Sequence, residues 1–417
     1  MARVFAFPRI ALIVAASAVF CACEPAPVLE IDEQPVQAES MPGVEQTIHE
    51  AVDGVDQPPV WEITNPYRTV DWESHGRHKA NFHTHTTNSD GLAQPHAMVD
   101  AYHELGYSIL AVTDHDWVSY PWTEFAVQEP NPKSLNPFVR ASRVSSENIG
   151  YENRDPSELG MVSIQGNELS MHHHMGSFFT GHEGTTTVAA SLNAIAAADG
   201  LVVLFHPGRY GFSTEWYVGL YRGHERLIGL EIYNLGDRYP HDRRLWDAIL
   251  TETMPDRAVW GFSNDDAHSL SQVGRNWNVM VLPDLSLESI RYGMEHGLSF
   301  FVYAPQGHAG PSVPSIESIR VDDRAGTIEM VAHGYESIRW ISEGTVVSLE
   351  ALIDLNDLKT PGVYVRAELR GQGDTVVGTQ PFGIARPVPE SPSKIAGPGD
   401  GDAGVGNAGI HNASGAP

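Results

Sequence analysis

The chain has 417 residues, 41% hydrophobic and 9% aromatic, which suits one large folded domain with a smaller one beside it and excludes a wholly disordered protein. Its 53 acidic against 26 basic residues leave a formal net charge of -27, which repels polyanions and excludes extended nucleic acid as a partner. Both cysteines, Cys21 and Cys23, lie near the N-terminus, so the folded part holds no disulfide and no thiolate metal site.

In chain order, Arg3 and Arg9 precede an apolar stretch from Ile10 to Phe20 that is too short to span a bilayer and reads as a bacterial secretory signal. Phe20-Cys21-Ala22-Cys23 reads as a loose lipobox, with small Ala22 before the cysteine that would carry lipid; an ordinary cleaved signal is the alternative. Residues 1–23 are therefore expected to direct export, to the periplasm or to the outer membrane as a lipoprotein anchored at Cys23, the chain's one membrane contact. Residues 24–59 are acidic, proline-bearing and aperiodic, as in a disordered tether, and residues 387–417 are a second expected disordered tail.

Between the tails, short apolar runs at Ser108–Val112, Met161–Ile164, Leu201–Phe205, Ile228–Ile232 and Ala258–Phe262 predict buried strands. Amphipathic stretches at Pro95–Leu105, Thr187–Ala198, His241–Glu252 and Leu287–His296 predict helices between them. Strand alternating with helix means a parallel sheet, and His115, Glu168, His206 and Asp266 all fall at or just past predicted strand ends, which favours closure into a barrel with one polar rim. The barrel is expected over residues 60–310. Over residues 311–386 the pattern turns to β only, with Ile316–Val321, Thr327–Ala332, Ser337–Ile341 and Val363–Leu369 predicting a small antiparallel β-sandwich. The segment from Asp116 to Gly160 carries Pro121, Pro130, Pro132 and Pro137 with Trp117, Tyr120, Trp122 and Phe125, and reads as a lid or substrate wall. Its aromatic residues either stack on a base, sugar or aromatic leaving group, or pin the loop down.

Five segments carry the chemistry. His83 and His85, two apart on an extended stretch, point the same way and can share an ion, and Asp90 follows in the next turn. His115, then Glu168 ahead of His172, His173 and His174, then His206, then Asp266 and His268 supply further imidazoles and carboxylates. Burying such groups without partners costs several kcal/mol each, and divalent cations suit them all at once. The alternative of unrelated surface or core histidines is outweighed by the coincidence of five segments.

The series His83-Thr84-His85 through Ser89-Asp90-Gly91, Thr113-Asp114-His115, Asn167-Glu168, His206-Pro207 and Asp266-Ala267-His268 resembles the motifs of the PHP (polymerase and histidinol phosphatase) superfamily over about Arg77 to Pro305. The resemblance implies an α/β fold, a distorted (β/α)7 barrel, with two to three divalent ions of Mn, Fe or Zn that hydrolyse a small phosphoester. It places His83, His85, Glu168 and Asp266 on a first ion and Asp90, His115 and His268 on a second. Glu168 would bridge to a third with His206 and one of the histidine run, His174 first and His173 next. Tyr364–Glu368 and Thr379–Phe382 resemble the sandwich of some secreted members.

A water shared by two such ions has its pKa lowered to about 7 and serves as nucleophile, so no side-chain nucleophile is needed. Asp90, His115 and His268 would stand nearest the chemistry, His115 and His268 as ligands before proton donors. Arg209 and Arg275 are placed to fork onto phosphate oxygens, although arginines beside a site are as often structural. Asp114 and Asp265 are candidates to orient ligand imidazoles, and His182 and Asn264 are open. Two other readings compete: a metal-dependent hydrolase of carboxylic esters or amides, like the amidohydrolases, and a non-catalytic exported binder of metal or ligand.

Overall fold

The computed structural model describes residues 61–386 except 119, 124–150, 153 and 185–186. The expected signal, lipobox, tether and tail, and the 116–160 loop's Pro130, Pro132, Pro137 and Phe125, lie outside the described residues. Among the described residues no helix is long and apolar enough to cross a membrane.

The elements run β1 (Glu62–Thr64), β2 (Gly76–Asn81), α1 (Pro95–Glu104), β3 (Ile109–Ala111), β4 (Val162–Ile164), β5 (Gly166–Leu169), β6 (Met175–Phe178), α2 (Val188–Ala197), β7 (Leu201–Leu204), α3 (Thr214–Gly223), β8 (Leu227–Asn234), α4 (Asp242–Thr253), β9 (Trp260–Asn264), β10 (Asn276–Leu282), α5 (Leu287–His296) and β11 (Ser299–Tyr303). Pro95 opens α1 at a position where its absent N–H costs nothing. Thr187 caps α2 by accepting from the Ala190 N–H at 3.1 Å, and Ser286 caps α5 by accepting from the Ser289 N–H at 3.1 Å. Every residue of β7 and β8 is buried, as in parallel strands covered on both faces.

The fold is mixed α/β, but the strand ladders do not close into the expected barrel. One sheet has the order β5-β6-β7-β8-β9, and β10, β2, β3 and β4 run consecutively in another. β5, β6 and β7 pair antiparallel, so the run is not a uniform parallel β/α repeat. Between β9 and β10 side chains replace the ladder: the Asn278 amide accepts from the Ser263 N–H at 3.1 Å and donates to the Ser263 carbonyl at 2.9 Å. One apolar core nevertheless draws from both sheets, with Ala80, Phe82, Ile109, Ile164, Leu201, Val203, Phe262 and Met280 all buried.

The C-terminal strands β12 (Ser315–Asp322), β13 (Thr327–His333), β14 (Ser337–Ser342), β15 (Thr345–Ser348), β16 (Leu352–Asp354), β17 (Tyr364–Arg370), β18 (Val376–Gly378) and β19 (Phe382–Ala385) do not form a self-contained sandwich. β12, β13 and β16 make a three-stranded sheet, but β18 pairs antiparallel with β11 and so extends the sheet that carries β2 and β3. Gly378 permits this, because a Cβ there would overlap the Phe301 ring on the opposite strand. β1 closes the far end by pairing with β19.

Candidate metal centre

The five ligand-bearing segments lie side by side because the backbone binds each to the next. The Asp266 N–H donates to the His83 carbonyl at 3.0 Å and the His85 N–H to the Ala267 carbonyl at 2.9 Å. The Thr113 N–H reaches the Thr84 carbonyl at 2.9 Å, and the Asp116 N–H reaches the Glu168 carbonyl at 2.8 Å. On the other side the Phe205 N–H donates to the His174 carbonyl at 2.9 Å, and β8 joins β7 to β9. Residues far apart in the sequence thus present side chains together, past the ends of β2, β3, β7 and β9 and from within β5.

Glu168 is the hub. Its Oε1 lies 2.6 Å from His174 Nδ1 and 3.1 Å from His206 Nε2, and its Oε2 lies 3.1 Å from His85 Nε2, 3.1 Å from His115 Nδ1 and 3.4 Å from His83 Nε2. Asp266 Oδ1 is 3.2 Å from both His83 Nε2 and His85 Nε2. Asp90 spans the outer side, with Oδ1 3.4 Å from His268 Nε2 and Oδ2 3.4 Å from His115 Nε2. Four overlapping groups can each hold an ion: His85, Asp90, His115 and His268; His83, His85 and Glu168; His83, His206 and Asp266; and His115, Glu168 and His174.

Donor chemistry and spacing fit divalent cations. Two ligands about 2.1 Å from one ion sit about 3.0–3.4 Å apart, and His83 Nε2 and His85 Nε2 are 3.1 Å apart. His268 donates its Nδ1–H to the Asp266 carbonyl at 2.9 Å, which leaves Nε2 a bare lone pair facing Asp90. Glu168, Glu231 and Asp266 are buried, at 1%, 0% and 5% exposure, and among the described residues none is paired with a lysine or arginine. The acids therefore act on the imidazoles. Burial alone would lower His83, yet Asp266, then Glu231 and Glu168, outweigh it and push it up to about 10. His85 is likewise raised well above its ordinary value against burial, by Asp266 and Glu168. Glu168 is held well below the usual carboxylate range, burial being overcome by His174, His83 and His115, and Asp266 is lowered in the same way by His83 and His85. Bound cations would supply the positive charge that protons otherwise bring to this centre.

The floor is the Phe205 ring, stacked on His83 with centroids 3.7 Å apart. The open side is Asp90, whose side chain is 49% exposed, and His268 at 30%. Two of the ligand residues, His206 (φ 30°) and Asp266 (φ 48°), occupy left-handed backbone that costs about 1–3 kcal/mol each and persists only where surrounding contacts enforce it.

Nine of the ten residues expected as ligands meet here: His83, His85, Asp90, His115, Glu168, His174, His206, Asp266 and His268. The tenth, His173, does not: its Nδ1 bonds the His174 carbonyl at 2.8 Å, its Nε2 lies 3.1 Å from the Tyr217 hydroxyl, and its ring stacks on Tyr210 at 4.2 Å. Burial lowers it to about 3, so it is a neutral core histidine, while His172 is exposed. Asp265 orients backbone, and Asp114 reaches an imidazole only through the Ser89 hydroxyl, which lies 3.4 Å from His85 Nδ1. Asp114 accepts from the Thr86 N–H and hydroxyl at 2.8 and 2.7 Å and from the Ser89 hydroxyl at 2.7 Å. Asp265 accepts the N–H groups of Gly274, Arg275 and Asn276 at 2.8 Å each; burial raises its carboxyl to about 6 against those bonds. Arg209 and Arg275 are both exposed, and neither guanidinium makes an ion pair among the described residues. His182 is half-buried and, among the described residues, its Nε2 has no hydrogen-bond partner. Of the loop aromatics, Trp117 is buried and Trp122 is buried against Tyr151, with centroids 5.3 Å apart, which pins that part of the loop.

Sequence reading passed over Glu231 and Asn234 on β8. Asn264, left open, donates to Glu231 Oε1 at 2.9 Å. The signal was present: a lone acid inside the apolar run Ile228–Ile232.

No protein-family model matches the chain, and no curated protein matches it. Among solved structures it is similar to a two-domain protein from Bacteroides vulgatus containing a predicted PHP-like metal-dependent phosphoesterase, with 16% identity, 74% of this chain and 88% of that chain covered, and a TM-score of 0.43. It is also similar to a lesion-specific endonuclease from Pyrococcus furiosus (14% identity, 53% and 56% covered, TM-score 0.35). A third likeness is to an amidohydrolase from Chromobacterium violaceum (13% identity, 46% and 87% covered, TM-score 0.31). Likenesses this distant assign no activity, and the case for this centre rests on its geometry.

Proposed function

We propose that the chain is a metal-dependent phosphoesterase of the PHP type, which hydrolyses a small phosphate mono- or diester at a centre of two to three divalent ions. The observation that supports this best is Glu168, one buried carboxylate within 3.4 Å of five imidazoles from four segments. Manganese, iron or zinc ions, when bound there, supply an acidified water and neutralise charge on the phosphoryl oxygens. His83, His85, Glu168, Asp266, His206 and His174 would hold the inner ions, and Asp90, His115 and His268 the one nearest solvent, where substrate arrives. His268, with its proton committed to the Asp266 carbonyl, serves as ligand rather than general acid. Arg209 and Arg275, exposed beside the ligand motifs, are the proposed phosphate contacts. Among the described residues no lysine stands where the bridging lysine of carboxylic ester and amide hydrolases would: Lys79 is packed between Tyr107 and Trp277, and Lys359 is exposed. Residues 1–23 carry the proposal of export, with Cys23 as lipid anchor, and residues 60–310, 311–386 and the two tails remain the proposed divisions.

The test is metal content and turnover of the purified protein. More than one equivalent of transition metal, with cleavage of a chromogenic phosphoester outpacing that of a carboxylic ester, is the expected result. Protein that stays inert on phosphoesters after loading with manganese, iron or zinc would overturn the reading; tight metal uptake with no turnover of a broad panel would make it a binder.

A further inference from the structure

Glu231 lies within β8 and is fully buried, and four donors converge on its carboxylate. Oε1 accepts from His83 Nδ1 at 2.8 Å and from Asn264 Nδ2 at 2.9 Å; Oε2 accepts from the His206 N–H at 2.8 Å and from Asn234 Nδ2 at 2.9 Å. The Asn264 amide is oriented by the Phe82 N–H, which donates to its Oδ1 at 3.1 Å, so the nitrogen faces Glu231. A carboxylate has about four lone-pair directions, and all are used. Glu231 thus has no capacity left to bind an ion itself. Its contacts instead fall on one complete ion group. His83 and His206 touch it directly, and Asn234 Nδ2, which donates to it, also lies 3.3 Å from Asp266 Oδ2. None of its hydrogen bonds reaches His85, Asp90, His115 or His268, the group on the open side.

We propose that Glu231 is the positioning residue of the innermost ion site, the one formed by His83, His206 and Asp266. It fixes the His83 tautomer so that Nε2 presents a lone pair, holds the His206 backbone in its left-handed conformation, and through Asn234 aims Asp266. The inference rests on the metal-centre reading and adds that one ion of the set depends on a carboxylate that never touches it.

The test is chelator competition on the full chain, with bound manganese or zinc counted by mass spectrometry. Glu231→Gln keeps the size but offers a single accepting oxygen, so its NH2 meets two donors head on. One equivalent should then be released at about 10–100-fold lower chelator concentration while the others hold, and the metal-free variant should keep a wild-type circular dichroism spectrum. Asn234→Ala, which leaves Glu231 in place, should weaken the same equivalent by a smaller factor and covers the case in which Glu231→Gln fails to fold. Wild-type protein that binds several equivalents while both variants release them at unchanged chelator concentration would overturn this inference alone, as would a uniform loss of all equivalents from a folded variant. Wild-type protein that takes up no metal would overturn the metal-centre reading and this one with it.

Discussion

Replacing Asp247 by asparagine should loosen the attachment of the C-terminal strands to α4. Arg366 on β17 grips Asp247 with two parallel bonds of 2.8 Å, from Nε to Oδ1 and from Nη2 to Oδ2, and the two side chains are only 2% and 10% exposed. The Tyr364 hydroxyl adds a third bond to Oδ1 at 2.8 Å, and the guanidinium lies over the Trp246 ring at 4.9 Å. Asparagine can accept one of the two guanidinium bonds and turns an NH2 toward the other. Breaking a buried pair costs about 3–5 kcal/mol. Glu368 still holds Arg366 Nη1 at 2.7 Å, which argues for the lower end, about 3 kcal/mol. A folded unit of roughly 300 residues unfolds with an entropy of about 0.6 kcal/mol per kelvin, so the melting temperature should fall by about 5 °C. Thermal unfolding of metal-loaded protein, followed by circular dichroism, measures it, with Tyr364→Phe as reference at about 1 kcal/mol. A drop under about 1 °C, or one no larger than that of Tyr364→Phe, would show that the pair contributes little and refute the reasoning.

Metal-free protein should lose stability as pH rises. The folded-state pKa of His83 is raised from 6.5 to about 10, so its contribution is complete below pH 6.5 and disappears through pH 10. Melting temperatures of chelated protein should therefore decline across that window, and metal-loaded protein, in which a cation replaces the proton, should lack the decline. His174→Ala should cost the third ion about tenfold or more in affinity, whereas His173→Phe, at a ring that stacks on Tyr210, should leave metal stoichiometry unchanged; metal counting on both variants separates them. Asp114→Ala removes the acceptor of three hydrogen bonds that fold the turn after His85, and should cost about 2–4 kcal/mol in urea unfolding together with weaker metal retention.

What sequence could disclose follows from how local each signal is. The ligand motifs sit where apolar runs stop, and an imidazole or carboxylate at such a point has few partners besides a cation, so His83, Glu168, His206 and Asp266 could be picked out without knowing the pairing. Leu287–His296 ends at Gly297, in left-handed backbone at φ 72°, and its helix has those bounds in the structure. Closure was not legible, since alternation of strand and helix does not say whether edges meet; here Asn278 bridges β9 and β10 with its side chain, a substitution no periodicity reports. α3 went unread because Thr214–Gly223 follows the His206 motif directly and mixes aromatic residues with a terminal glycine. Glu231 was missed because β8 reads as a buried strand, and the meaning of its single acid depends on His83, which is 148 residues away.

The pairing of β1 with β19 has a consequence for how the molecule can be handled. Glu62 sits opposite Ala385, and Arg386 lies over the Trp61 ring at 4.6 Å, so the chain enters and leaves this unit at one spot. A circular permutant that splices 386 to 61 through a short linker, and opens its new ends in an exposed turn, would keep the seam intact. Fusions made at residue 61 or residue 386 would project from that same spot.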